Sequence, residues 1–124
     1  DTLRPGDLKA SAAIIEEGNP SFLTIVGSHA ALTELTSQGI DAIGDQVVSL
    51  ASTIAGELQA RGWTLRCAVQ ETGLVCAVPP SSVLRMAARL DSKAIDIAIR
   101  AGALRFSPHA YQTIDDLQPL FDVI

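Results

Sequence analysis

Arg105 is the residue whose position in the sequence is best suited to binding a ligand. It lies between the apolar residues Leu104 and Phe106. On a β-strand this alternation places its side chain on the face opposite theirs. A planar guanidinium fixed on a strand can bind a carboxylate through two parallel hydrogen bonds. Taken alone, however, the run favours a solvated surface charge over a binding site.

The other candidate groups point to structural roles. His29 falls within an apolar helical stripe, which favours a buried or interface histidine over a ligand or a base. Asp115 and Asp116 stand at the start of a predicted helix, where capping and the helix dipole account for both charges. The sequence contains no nucleotide-binding glycine loop, no HExxH, no GxSxG and no CxxC.

Composition limits the class of protein. The chain has 124 residues, of which 48% are hydrophobic and 4% aromatic, which is enough for one domain with its own core. Nine basic residues against 14 acidic ones give a formal charge of −5, which disfavours nucleic acid and anionic membranes as partners. No apolar run is long enough for a membrane helix. We therefore predict a soluble, cytoplasmic protein.

Two long helices are predicted in the first half of the chain. Residues 1–20 are irregular and read as a lead-in segment to a single α+β domain at 21–124. Ser21 can cap a helix of about five turns that stops at Gly39. Asp41 can cap a second helix, which ends at 61–62 and carries a buried stripe formed by Ile43, Val47, Leu50, Ile54 and Leu58.

Short strands dominate the second half. Residues 64–69 and 74–78 read as a hairpin around 70–73 that brings Cys67 opposite Cys76. In a reducing compartment, two buried thiols are favoured over a disulfide. Two more strands follow at 95–100 and 104–107. Two short helices complete the pattern, one capped by Ser81 or Ser82 and a final one capped by Thr113. Pro119 should bend or loosen the final helix. The predicted fold is α+β: two long helices, then a small, mostly antiparallel four-stranded sheet with helices packed mainly on one face.

The segment that contains Arg105 resembles a known family. Residues 102–117 read G-A-L-R-F-S-P-H-A-Y-Q-T-I-D-D-L. This run is similar to the C-terminal signature G-x-L-R-x-S-x-H-x-Y-N-T of the class V aminotransferases, pyridoxal-phosphate enzymes that include cysteine desulfurases and kynureninase-like members. Residues 15–20, I-E-E-G-N-P, resemble the F-E-x-G-T-P segment of the same family.

The resemblance implies roles for three residues. Arg105 matches the arginine that binds the α-carboxylate of the amino-acid substrate. Asn19 stands where the family has a threonine that reaches the cofactor phosphate across the dimer, and an amide can also donate to phosphate. His109 matches the motif histidine, whose implied role is to shape the exit of the strand near the site. Gln112 replaces the asparagine of the family motif.

The resemblance also implies a cofactor, pyridoxal 5′-phosphate, held in the complete enzyme by a lysine of a large N-terminal domain. The only lysines here are Lys9 and Lys93, and neither is at a suitable place in the sequence. We therefore expect the C-terminal domain of a homodimeric enzyme, inactive without its missing N-terminal cofactor domain. The alternative is a free-standing α+β ligand-binding or dimerisation module with no cofactor.

Overall fold

The structure is a computed structural model that describes residues 18–19 and 21–124. Most of the predicted lead-in segment, including Lys9 and the glutamates of the I-E-E-G-N-P motif, lies outside the described residues. The chain divides into two compact units, Asp1–Ser37 and Gln38–Ile124. Each unit is described below by itself.

The first unit contains helix α1, Phe22–Gln38, except for its last residue. Its 17 residues confirm the predicted length of about five turns. The amide of Ile25 donates to the carbonyl of Ser21, where the helix begins. The buried alternative predicted for His29 is wrong, because α1 has no buried residue and His29 is exposed. The interface alternative stays a prediction. An apolar stripe predicts which side chains share a helix face, but not whether another element covers that face.

Helix α2, Ile40–Ala60, opens the second unit. The predicted stripe is confirmed in its central and C-terminal part, where α2 buries Leu50, Ala51, Ile54, Ala55 and Leu58. The predicted N-cap at Asp41 is wrong by two positions. Gly39 occupies the N-cap with a φ of 89°. Asp41 therefore lies in the first turn, where its negative charge is attracted to the positive end of the helix dipole.

Four short strands form one antiparallel sheet in the order β1-β2-β4-β3, which confirms the α+β fold. Their bounds are β1 Thr64–Leu65, β2 Val75–Val78, β3 Ala98–Arg100 and β4 Ala103–Phe106. A two-residue turn joins β3 to β4, and both of its residues, Ala101 and Gly102, have positive φ. This is the geometry that matches the twist of a tight hairpin.

The predicted hairpin loop at 70–73 is wrong. A single helical turn, α3 (Val69–Thr72), stands in its place, and Gly73 closes it in the left-handed conformation. The strands are correspondingly shorter, and their register shifts by one residue. Arg66, rather than Cys67, therefore lies opposite Cys76 and donates its amide proton to the Cys76 carbonyl at 2.7 Å.

Two further helices complete the unit. Helix α4, Val83–Asp91, begins at Ser82, whose hydroxyl accepts from the Arg85 amide, as predicted. The predicted C-terminal helix is shorter and divided: a 3-10 turn at Asp115–Leu117 leads into α5, Gln118–Phe121. Pro119 lies at the start of α5, where the backbone amide of a helix has no partner within the helix, so the missing amide proton costs no hydrogen bond.

The core lies on one face of the sheet. Val75, Ala77, Leu104 and Phe106 project towards it from β2 and β4 and are buried. Helices α2, α4 and α5 supply the other side of the cluster, with Leu50, Ile54, Leu58, Leu90 and Leu120 among its members. The helices therefore pack mainly on one face, as predicted. The opposite face of the sheet carries Arg105.

Candidate functional site

Arg105 is half-buried in the middle of β4. Its side chain leaves the sheet on the face opposite Leu104 and Phe106, as the alternation predicts. The residues directly across from it are Cys76 on β2 and Ala98 on β3. Both have short side chains, so the strands on either side of Arg105 leave space around its guanidinium group.

The guanidinium group of Arg105 has an unused donor. Its Nε atom is buried and has no hydrogen-bond partner among the described residues. No ion pair joins Arg105 to another described residue, so none of the described carboxylates lies within 4.0 Å of its nitrogens. An unpaired buried donor costs about 1–3 kcal/mol.

A shallow depression of about 250 Å³ opens beside this arginine. Its walls combine two opposite charges, a hydroxyl group and two apolar side chains: Arg105, Asp96, Ser107, Ile97 and Ala98. Asp96 and Ser107 were not among the residues predicted for the site. The period of two could have indicated them, because it places Asp96 in line with Ala98 and Ser107 in line with Arg105.

A second, smaller cavity of about 130 Å³ adjoins the first and shares Asp96, Ile97 and Ser107 with it. Its remaining walls come from the core and the C-terminal turn: Ile54, Ile95, Phe106, Pro108, Gln112, Asp116, Leu117, Pro119 and Leu120. The side-chain oxygen of Gln112 accepts from the His109 amide at 2.8 Å, and the Gln112 amide donates to the His109 carbonyl at 2.9 Å. Gln112 therefore closes the turn that follows β4.

Of the other two predicted site residues, His109 lines neither cavity and Asn19 belongs to the first unit. His109 is exposed, and its ring stacks on that of Tyr111 with 4.5 Å between ring centroids. Only its backbone takes part in the turn after β4, so its predicted role in shaping the site stays a prediction. Asn19 is an exposed residue in the bend before α1. Its predicted contact with a cofactor phosphate also stays a prediction.

Cys67 and Cys76 are free thiols next to the arginine. The Cys67 sulfur accepts from the Cys76 amide at 3.1 Å and donates to the Leu74 carbonyl at 3.2 Å. Burial raises the pKa of the Cys76 thiol, and the neighbouring Cys67 raises it further, while the positive charge of Arg105 lowers it. Because burial dominates, Cys76 is protonated at neutral pH and is a poor nucleophile.

The described residues do not supply a site that could hold pyridoxal phosphate covalently. Lys93 is exposed in the turn after α4 and lines neither cavity, and Lys9 lies outside the described residues. The described part of the chain also has no cluster of three or more histidine, cysteine or acidic side chains that could bind a metal. The chemistry beside Arg105 fits recognition of an anionic group.

Thr113 and Asp116 fix the turn that borders the smaller cavity. The Asp116 carboxylate accepts from the Thr113 amide at 2.7 Å and from the Thr113 hydroxyl at 2.8 Å. These two bonds hold the pKa of Asp116 below its ordinary value of 3.8, the backbone bond having the larger effect. Their stabilising effect is complete above that ordinary value and is lost as the pH falls through the lowered pKa of the folded state.

The substitution Thr113→Val is expected to raise the pKa of Asp116 only part of the way to its ordinary value, because the amide donor remains. An NMR titration of the Asp116 carboxyl group measures the change. Thr64→Val, the same substitution on β1, should leave the Asp116 pKa where it is. A full return to the ordinary value in Thr113→Val would show that the hydroxyl, and not the amide, is the dominant donor.

No family model matches the chain, and no curated protein or solved structure matches it either. The aminotransferase resemblance therefore rests on the motifs at 15–20 and 102–117 alone. Within the described ranges, none of the helices is long and apolar enough to cross a membrane.

Proposed function

We propose that this chain is the C-terminal domain of a pyridoxal-phosphate enzyme similar to the class V aminotransferases, and that Arg105 binds the α-carboxylate of the amino-acid substrate. The observation that carries the proposal is the state of Arg105: a half-buried guanidinium on a central strand, with a buried Nε that has no partner among the described residues. A structural arginine would be expected to satisfy that donor within the protein.

The surroundings of Arg105 suit a carboxylate. Strand β4 is paired on both sides, with β2 and with β3, so the backbone that carries Arg105 is fixed before a ligand arrives. Such preorganisation lowers the entropic cost of binding. The guanidinium can donate two parallel hydrogen bonds to the carboxylate. Ser107, two residues further along the chain, lines the same depression and can donate a third.

The proposal assigns the cofactor to a domain outside these 124 residues. The cofactor supplies the electron sink for chemistry at the α-carbon of the amino acid. This chain would contribute binding and orientation: Arg105 fixes the carboxylate, and the direction of β4 fixes the position of Arg105. The homodimer and the contact between Asn19 and the cofactor phosphate belong to the same proposal.

The Arg105→Ala substitution tests this role in the complete protein. We expect pyridoxal phosphate to co-purify with that protein and to be detected by its visible absorption. Across a panel of the standard amino acids, we expect Arg105→Ala to weaken the apparent affinity for the best substrate by about ten- to a hundredfold, as for loss of a charge-assisted pair. Arg105→Lys should recover only part of the loss, because an ammonium cannot reproduce the two-bond geometry.

The matched control is Arg100→Ala, which removes an exposed arginine from the same face of the neighbouring strand and should change the affinity less than twofold. Unchanged affinity for the amino acid in Arg105→Ala would contradict the proposal that Arg105 binds its carboxylate. A complete protein that binds amino acids through Arg105 but holds no pyridoxal phosphate would contradict the enzyme assignment. That result would favour the free-standing ligand-binding module instead.

A further inference from the structure

Asp96 and Arg105 line the same depression without forming an ion pair. The arginine is half-buried and the aspartate is exposed. No ion pair joins the two side chains, so the Asp96 carboxylate oxygens and the Arg105 nitrogens are more than 4.0 Å apart. Two residues of opposite charge therefore line the same depression without contacting each other.

We propose that this depression binds a free amino acid as its zwitterion, with Arg105 and Ser107 taking the carboxylate and Asp96 taking the α-ammonium group. The inference rests on the carboxylate role of Arg105 in the proposed function. It adds a second determinant, recognition of the ammonium group, that needs no cofactor. The ligand class is an α-amino acid with both of its backbone charges intact.

The charge pattern excludes simpler ligands as the best fit. A plain carboxylate would bind Arg105 but would be repelled by Asp96 in the same cavity. A plain amine would bind Asp96 but would be repelled by Arg105. A ligand that carries both charges makes two attractive contacts, and it replaces solvent between two groups that do not contact each other directly.

The size and the walls of the depression fit a small aliphatic ligand. Its volume of about 250 Å³ is below the roughly 300–1,000 Å³ of sites for drug-sized molecules. Ile97 and Ala98 provide apolar surface beside the two charges. Ala98 lies directly across from Arg105, so its single methyl group leaves room for a ligand over the strand. L-Valine is therefore a suitable probe.

The test compares three probes on the 124-residue chain by amide chemical-shift titration in NMR. L-Valine carries both charges, isovalerate lacks the ammonium group, and isobutylamine lacks the carboxylate. Because the depression is open to solvent, we expect L-valine to bind in the millimolar range. Isovalerate and isobutylamine should each bind about tenfold more weakly than L-valine.

Substitutions test the contributions of Asp96 and Arg105 to binding one at a time. Asp96→Asn should weaken L-valine binding about tenfold and should leave isovalerate unchanged or slightly tighter, because the repulsion is removed. Arg105→Gln should weaken the binding of both ligands, with a retained amide spectrum as evidence of folding. Asp91→Asn, the same change at an exposed carboxylate at the end of α4, should alter neither affinity by more than twofold.

Equal binding of L-valine and isovalerate to the unmodified chain would overturn the inference, as would a preference for L-valine that survives in Asp96→Asn. An absence of L-valine binding at millimolar concentrations would also overturn it. These outcomes are distinguishable from failure of the proposed function, which depends on pyridoxal phosphate in the complete protein. Loss of the Asp96 effect alone leaves the carboxylate role of Arg105 intact.

Discussion

Replacing Leu104 with alanine is expected to lower the free energy of unfolding by about 3–5 kcal/mol, in the upper part of the range for leucine-to-alanine substitutions in cores. Leu104 is fully buried in β4, the strand that pairs with both β2 and β3. Its neighbour across β2 is Ala77, whose side chain is too small to fill the space left by the substitution. The cavity would therefore persist, and its cost would add to the lost burial of the leucine side chain.

Chemical denaturation of Leu104→Ala and Leu84→Ala measures this effect against a matched change. Leu84 on α4 is 71% exposed, so its replacement should alter the free energy of unfolding by no more than about 0.5 kcal/mol. The midpoint should shift in Leu104→Ala with little change in the denaturant slope. Similar costs for the two variants would mean that the inner face of β4 is not part of the core.

The stability of β4 bears directly on the site. Leu104 and Phe106 hold the strand against the core, and the alternation of side chains then directs Arg105 to the other face. The rings of Phe106 and Trp63 also pack in an edge-to-face arrangement, with 6.1 Å between ring centroids. The position of Arg105 is thus a consequence of packing on the opposite side of the sheet.

Some features could be predicted from the sequence because each depends on local pattern alone. The stripe on α2 repeats every three to four residues, and its central and C-terminal members are buried. The N-cap at Ser82 depends on one hydroxyl group at the right distance from the helix. The direction of the Arg105 side chain could be predicted because side chains alternate on a strand that buries one face.

The segment at 69–73 shows where local pattern fails. Four residues followed by glycine are compatible with a hairpin loop and also with one turn of helix closed by a left-handed residue. The structure adopts the helical turn, in which the Val69 side chain is buried in the core. The sequence alone does not reveal that Val69 packs there. The one-residue change in register follows, and it moves Arg66 opposite Cys76 in place of Cys67.

For a related reason, the sequence predicted Arg105 as a site residue but did not predict Asp96. Arg105 belongs to a motif that is continuous in sequence, whereas Asp96 comes from the segment before β3. Their proximity depends on the pairing of Ala98 with Arg105 in the antiparallel sheet. A strand pattern shows that each segment is extended, but the pairing partner and its register are long-range properties.

The Gly73→Ala substitution is expected to destabilise the fold by about 2–4 kcal/mol, from two separate causes. Gly73 has a φ of 63°, and the left-handed conformation costs a residue with a Cβ atom roughly 1–2 kcal/mol. A Cβ atom at this position would also lie 2.6 Å from Cγ1 of Val47. Valine in a helix is confined to one χ1 rotamer, so this methyl group cannot move aside cheaply, and overpacking adds about 1–3 kcal/mol. Restriction of the unfolded chain by alanine offsets part of the sum.

Gly102→Ala separates these two causes. Gly102 has a φ of 73°, close to that of Gly73, but no heavy atom lies within 4 Å of the position that its Cβ atom would take. Its replacement should therefore cost only the strain of the left-handed backbone, roughly 1–2 kcal/mol. The double variant Val47→Ala/Gly73→Ala should be less destabilised than the sum of its single variants, because Val47→Ala removes the clashing methyl group. Equal costs for Gly73→Ala and Gly102→Ala, or additive costs in the double variant, would show that α2 and the turn that closes α3 are not in contact at Val47.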